Sequence, residues 1–524
     1  MKNISNKILV FCILAISLCF TLNACSNDDD DQEKEYPGTT MFKTKYSRSK
    51  ILHNPLNGWV MYASGTGDES YWDTEFYVPD LGKKVKVRDY ASACYIRTSW
   101  ANMNPSDGVY AWRDPNTKIG KMIEGARKRG LPIAFRFVVD GRDQGMNTPG
   151  FVFEAGAASY LENSSYPTRI TPIPQDPIFQ QYYTKFIQEL AKDFNDPAIC
   201  AFIDAYGLGK WGEAHNVIYE DPNTSDGSNT ERLKEEVFEW ITDVYTQNFT
   251  QVPLVINYHR VVGHPASDGD VNPNTNKLLT MAINKGYSLR QDAFGMTDYY
   301  KAWEKSFAKT WNYLRPIIME GGWITDPGHA HRPETDSSGK YRAGHPEDVR
   351  QGEFDASMEA RVNMMDFRVG YETETWFTLC FGLIQRFSAE GGYRLYPDRI
   401  YLPESVEKGV ETMIAHRWRN MGWGYFPNNI PQWNYRYKVA FALLDSDDNV
   451  QKILVDANCE PSGWLKDKAA LYEFKTSIDL PAGNYKWAVA IVDTKGDNKP
   501  AIELAVNEEI TDEGWVKLLD VQVK

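Results

Sequence analysis

Between Tyr46 and Glu390, short apolar runs alternate with longer stretches whose apolar residues recur every three to four positions. The short runs are Gly58–Tyr62, Ala93–Ser99, Pro132–Val138, Ile199–Tyr206, Pro253–Tyr258, Tyr287–Asp292, Arg315–Met319 and Glu372–Leu379. They are rich in Val, Ile and aromatic residues and bounded by Gly, Pro, Asn or Asp, which predicts buried strands. Helical spacing predicts helices over Lys118–Arg129, Ile178–Phe194, Glu231–Asn248 and Phe354–Arg368. The first of these ends at Arg129-Gly130-Leu131-Pro132, a Gly stop followed by Pro. Eight strands alternating with helices predict an α/β fold, a (β/α)8 TIM barrel with long loops. A doubly wound open sheet satisfies the same alternation, but no Gly-rich phosphate loop follows the first strand.

After Gly391 the period changes. Short strand-like runs recur at Arg394–Leu402, Val410–Arg417, Tyr437–Leu444, Gln451–Val455, Leu471–Ile478, Asn484–Val492 and Val516–Val523. Turn clusters such as Asp445-Ser446-Asp447-Asp448-Asn449 separate them, which predicts an antiparallel β-sandwich. The chain therefore divides into a leader over 1–24, an acidic tether over 25–45, a barrel over 46–390 and a β-sandwich over 391–524. Lys2 and Lys7 precede the apolar run Ile8–Phe20, the layout of a signal peptide. The run ends in Leu22-Asn23-Ala24-Cys25, which resembles a bacterial lipobox, and Asp28–Asp31 follow at once. This combination is similar to the surface-export signal of Bacteroidota lipoproteins. It implies lipidation at Cys25 and a cell-surface position on the outer membrane, with the lipid as anchor.

Composition narrows the partners. Lys and Arg number 57 against 71 Asp and Glu, a net charge of −14, and no basic cluster appears, which argues against a nucleic-acid partner. The chain carries 16 Trp, 30 Tyr and 24 Phe, a density that suits stacking on sugar faces once the core is filled. Of the seven Cys, Cys12 and Cys19 lie in the leader, while Cys94, Cys200, Cys380 and Cys459 are scattered. No CxxC or His-Cys spacing suggests zinc, and no disulfide is assignable. His329, His331 and His345 sit in a loop rich in Pro and Gly with no helix to fix their spacing, so no metal and no cofactor are expected.

In a (β/α)8 barrel the chemistry gathers at the C-terminal ends of the strands. Those positions hold Arg97 and Trp100, then Arg136, then the segment containing Trp211, Gly212, Glu213 and His215. Asn257 and Tyr258 follow the fifth strand, Arg290 the sixth, Glu320 and Trp323 the seventh, and Trp376 lies on the eighth. Glu213 and Glu320, on strands four and seven, face each other across the barrel. Glycoside hydrolysis needs two such groups: an acid to protonate the leaving oxygen, and a carboxylate acting as nucleophile or activating water. Their separation decides between retention and inversion. The remaining residues are candidate substrate contacts.

Arg97, Glu213, Glu320 and Trp376 on strands two, four, seven and eight resemble the large retaining glycosidase clan, clan A. The resemblance implies Glu213 as acid/base, Glu320 as nucleophile, Arg97 as its partner and Trp376 as a sugar platform. The segment Asn104–Trp112 is similar to a loop of clan members related to β-galactosidases. Gly212 stands where the clan has Asn. Asn54–Trp59, Trp211–His215, Arg419–Gly422, Leu480–Tyr485 and Pro500–Ala505 also resemble a bacterial family named by its C-terminal domain of unknown function 4832, which implies a glycosidase-like barrel joined to a sandwich. The leading reading is a surface-anchored retaining glycoside hydrolase acting on a poly- or oligosaccharide; the alternative is a glycan-binding lipoprotein without turnover.

Overall fold

The computed structural model describes residues 34–63, 72–140, 145–161, 169–214, 217–221, 224–258, 273–294, 300, 302–323, 325 and 339–524. Eight parallel strands close into a barrel: β1 Gly58–Tyr62, β2 Ala91–Ser99, β3 Ile133–Val138, β4 Cys200–Asp204, β5 Leu254–Asn257, β6 Ser288–Phe294, β7 Ile317–Gly321 and β8 Met364–Asp366. The longer helices are α1 Lys118–Arg127, α2 Pro177–Phe194, α3 Thr230–Asn248, α4 Pro273–Asn284, α5 Ala302–Trp311, α6 Pro346–Ala360, α7 Tyr371–Thr378 and α8 Phe381–Glu390. None of the described helices is long and apolar enough to cross a membrane. The leader, Cys25, His215, His329 and His331 lie outside the described residues.

Local chemistry sets these elements. Asp176 caps α2 by accepting from the amides of Ile178 and Phe179, and Pro177 takes the first helical position, where no donor is needed. The buried face of α2 is Phe179, Tyr183, Phe186, Ile187, Leu190 and Phe194, the three-to-four spacing of one helical stripe. It packs on the outward residues of β3, with Phe137 edge-on to Phe186 and Phe135 to Phe194. Arg136, between them, must then point into the barrel, because side chains alternate along a strand.

The last barrel strand corrects the expectation. The run Glu372–Leu379, read as strand eight, is mostly helix α7, and the true strand is three residues long, Met364–Asp366. Its neighbours are β7 and β1. The sequence around 372–379 is rich in Thr and aromatics, yet as α7 it turns Trp376 and Phe377 into the core against the barrel wall. The predicted helix over Phe354–Arg368 likewise stops at Ala360, with Arg361 in the left-handed region.

Beyond α8 the chain forms β9 Leu395–Leu402, β10 Glu411–Asn420, β11 Tyr437–Leu444, β12 Val450–Asp456, β13 Ala469–Ser477, β14 Gly483–Asp493, β15 Lys499–Ile502 and β16 Val516–Val523. One sheet runs Thr40–Lys43, β9, β10, β13; the facing sheet runs Ser405–Val406, β16, β14, β11, β12, with β15 beside β14. The segment 25–45 is therefore not a tether throughout. Thr40–Lys43 pairs antiparallel with β9, and Tyr36 packs on Tyr401. The first described residues belong to the sandwich that the last residues complete.

The sandwich sits on the N-terminal ends of the barrel strands. Asn363 binds the carbonyls of Leu56 and Tyr425, Gln432 donates to the Gly286 carbonyl, and Trp423 donates to the Val362 carbonyl. One buried apolar cluster runs from Val60, Ala93, Ala134, Val255, Ile318 and Met364 inside the barrel into the sandwich core. The bottom of the barrel interior is thus plugged, and its C-terminal mouth is the open end among the described residues. Cys94, Cys200, Cys380 and Cys459 are all buried free thiols.

Candidate active site at the barrel mouth

Above the apolar layer, the barrel interior turns ionic. The inward positions of β2, β3, β4, β6, β7 and β8 are Tyr95, Arg136, Asp204, Arg290, Glu320 and Asp366, all at most 2% exposed. Burying so many charges is tolerable only if they are paired. They are, except Asp366, which lies 3.9 Å from Arg290 without a hydrogen bond to it. Arg136 Nε donates to Asp204 at 2.6 Å, Nη1 to Glu213 at 3.1 Å and Nη2 to Asp292 at 2.9 Å, and Nη2 lies 3.1 Å from Glu320. Arg290 Nη2 donates to Glu320 at 2.6 Å, and its Nε to Asp292 at 3.1 Å. Arg368 closes on the other oxygen of Glu320. Tyr95 donates to Asp204 at 3.1 Å and lies beneath the Arg290 guanidinium, 4.5 Å from its ring centre.

Glu213 comes from the loop after β4. That loop continues the pairing with β3: the Val139 amide donates to the Gly207 carbonyl at 3.1 Å and the Trp211 amide to the Asp140 carbonyl at 3.2 Å. Trp211, Gly212 and Ala214 all have positive φ, a tight coil that returns Glu213 to the barrel axis. At Gly212, φ is +75° and an added Cβ would stand 3.3 Å from the Phe137 carbonyl oxygen. Asn257 donates to the Glu213 carbonyl at 3.1 Å and accepts from the Asp292 amide at 3.4 Å, so it holds the loop in place.

Three carboxylates, Glu213, Asp292 and Glu320, each offer an oxygen within 4.8 Å of the other two. The Arg136 guanidinium bridges all three, so a cation of the protein's own already occupies the place a metal would take. Burial raises the Asp292 pKa against the pull of Arg136, and the Glu213 charge raises it further. Burial also pushes Asp366 up to about 7, although Arg290 opposes it; this side chain accepts from the Gly321 amide at 3.2 Å. Behind β7, Glu353 is pushed up to about 7 by burial and accepts from the Gly322 amide at 2.9 Å. Two carboxyls thus grip the backbone just after Glu320. His416, Asp456 and Cys459 form a second buried cluster, in the sandwich. There the His416 nitrogens are taken by Asp456 at 3.1 Å and the Trp418 indole at 2.8 Å, a structural arrangement.

The predicted contact residues separate into groups. Arg136 and Arg290 are fully enclosed and hold carboxylates, leaving no face for a sugar. Arg97 is not the partner of Glu320; Arg136, Arg290 and Arg368 take that place, and Arg97 lines a cavity of about 400 Å³ at the mouth. Trp323, 47% exposed, lines the same cavity. Trp211 is half-buried, with the Lys210 ammonium 4.1 Å from its ring centre. Three aromatics are core instead. Trp100 opens a short helix, Trp100–Met103, and packs edge-on to Tyr183 at 5.1 Å. Tyr258 stacks on Phe307 at 5.5 Å. Trp376, on α7, meets Trp59 edge-on at 5.0 Å. Asp366 and Arg368 are not among the expected site residues, because the sequence pattern places strand eight at Glu372–Leu379 and the structure places it at Met364–Asp366. The alternation Met364-Met365-Asp366-Phe367-Arg368 was the available signal.

No family model matches the chain, and a search of curated proteins finds no match. Among solved structures it is similar to endo-glycoceramidase II from Rhodococcus sp., at 12% identity and a TM-score of 0.36 over 83% of this chain and 100% of that one. An exo-beta-1,4-mannosidase from Opitutaceae bacterium strain TAV5 gives 12% identity and a TM-score of 0.33, over 64% of this chain and 56% of that one. A psychrophilic glycoside hydrolase family 10 endo-beta-1,4-xylanase gives 10% and 0.34, over 59% and 86%. With scores this low, the functional reading rests on the side chains of the site itself.

Proposed function

We propose that the chain is a glycoside hydrolase of retaining mechanism, with Glu320 as nucleophile and Glu213 as acid/base. The observation that carries this is the approach of Glu213 and Glu320, from opposite sides of the barrel, to within 4.8 Å at their oxygens on one shared guanidinium. Retaining pairs stand about 5–5.5 Å apart, and inverting pairs about 6.5–9.5 Å. Three guanidiniums around Glu320 favour its ionised form, as a nucleophile requires. Glu213, with 13% of its side chain exposed, is the one open to the leaving group. In the first step a Glu320 oxygen attacks the anomeric carbon, the glycosidic C–O bond breaks, and Glu213 gives its proton to the departing oxygen. In the second, Glu213 takes a proton from water, whose oxygen displaces Glu320. Arg368 covers one Glu320 oxygen and lines the mouth cavity, so attack requires it to swing aside as the sugar enters.

The same burial favours a second reading, a glycan-binding protein without turnover, because Glu320 is only 2% exposed. In either case we place the chain on the outer membrane through a lipid on Cys25. Residues 34–43 lie on the sandwich, at the end away from the mouth, which suits an anchored chain facing outward. The test is a screen of the full chain on aryl glycosides and polysaccharides, with the first-formed anomer read by NMR. Turnover with retention, lost in Glu320→Gln and Glu213→Gln, is expected. Activity surviving both changes sinks the assignment, and binding without turnover selects the second reading.

A further inference from the structure

We propose that the mouth cavity selects an anionic sugar unit, carrying a carboxylate or a sulfate ester, through Arg97. This rests on the sugar-binding reading and names its substrate class. The cavity of about 400 Å³ falls in the size range of small-ligand sites. Three cationic side chains line it, Arg97, Lys118 and Arg368, and no Asp or Glu is among its described lining residues. In a chain of net charge −14, this local surplus of cations runs against the overall balance.

The three cations are not equivalent. Arg368 is committed to Glu320. Arg97 forms no ion pair among the described residues, and its Nη2 is buried without a hydrogen-bond partner. A buried guanidinium N–H left unmet is costly, and a planar carboxylate or a sulfate oxygen meets it with a charge-assisted bond. Lys118 is exposed on the rim and adds a second, screened attraction. Asn102 offers an amide to ring hydroxyls, and Trp323 a half-exposed indole face for the ring itself. Arg97 is the register partner of Arg136 on the adjacent strand, and Arg136 holds Glu213 at 3.1 Å, so the cavity lies beside the proposed acid/base. A unit seated on Arg97 therefore presents its linkage towards Glu213.

Affinity electrophoresis of the full chain tests this, in gels containing polygalacturonate, carrageenan, neutral galactan or xylan. Retardation is expected in an anionic gel, falling steeply with salt and weakened about tenfold in Arg97→Gln and about threefold in Lys118→Gln. The polygalacturonate and carrageenan arms distinguish a carboxylate from a sulfate ester. Lys118 is exposed, so its variant keeps the fold, and a melting curve checks Arg97→Gln. No retardation in either anionic gel, or retardation unchanged in both variants, overturns the inference. Hydrolysis of a neutral glycan, lost in Glu320→Gln, without anionic preference would refute it yet leave the hydrolase reading standing. Anionic binding without turnover does the reverse.

Discussion

Arg136 touches Asp204, Glu213, Asp292 and Glu320 with one planar group, whereas Arg290 contacts Asp204, Asp292 and Glu320. Removing one partner of a buried pair leaves the others uncompensated, at roughly 3–5 kcal/mol. Arg136→Met is therefore expected to lower unfolding free energy by about that amount in a urea titration; a loss below about 1 kcal/mol would contradict the network. Asp366 gives a pH signature. Its folded pKa, about 7, lies above the ordinary carboxylate value of 3.8, so the folded state holds a proton that the unfolded chain releases. Stability from this group is present below about pH 4 and is lost as pH rises to 7, at up to about 1.4 kcal/mol per pH unit. Glu353, also near 7, acts in the same window and direction. Asp366→Asn keeps the acceptor for the Gly321 amide, so its urea midpoint should fall less than that of the wild type between pH 5 and 7. An identical slope in both chains would refute the assignment. Among single residues, Glu213 and Glu320 were legible because each adjoins glycines at a strand end. Trp100, Tyr258 and Trp376 were not, because an aromatic beside a strand end looks the same whether it faces a helix or the mouth.

Seven of the eight barrel strands were legible as apolar runs, since a strand covered by helices outside and side chains inside leaves a continuous apolar record. The eighth was too short to leave one, and Asp366 and Arg368 were lost with it. The loop after β4 is the element on which the site most depends. At Gly207 φ is +78°, and an added Cβ would lie 2.5 Å from the Tyr183 hydroxyl and 2.8 Å from the Phe137 carbonyl oxygen. Both are backed by the barrel wall and α2, so neither yields cheaply. Gly207→Ala is expected to cost about 2 kcal/mol or more in thermal or urea unfolding and, on the proposed function, to reduce turnover through a misplaced Glu213. Unchanged stability and activity would show that the loop does not need its left-handed turn.

On the scale of the whole molecule, the barrel is inserted into the sandwich. Thr40–Lys43 and the chain beyond Leu395 share one sheet, and 25–45 reads as a tether because a strand of only four residues, Thr-Met-Phe-Lys, next to an acidic run is too short to show a period. A chain beginning at Tyr46 leaves β9 as an unpaired edge, which invites edge-to-edge association. Light scattering should show self-association of that shortened chain, with the barrel mouth unaffected because it lies at the far end. A monomer as stable as the full chain would show the strand to be dispensable. The same pairing imposes a wait during synthesis. Leu402, the register partner of Thr40, leaves the ribosome roughly 360 residues later, about 20–70 s at 5–20 residues per second. For that interval the barrel is being made while the first strand has nothing to join.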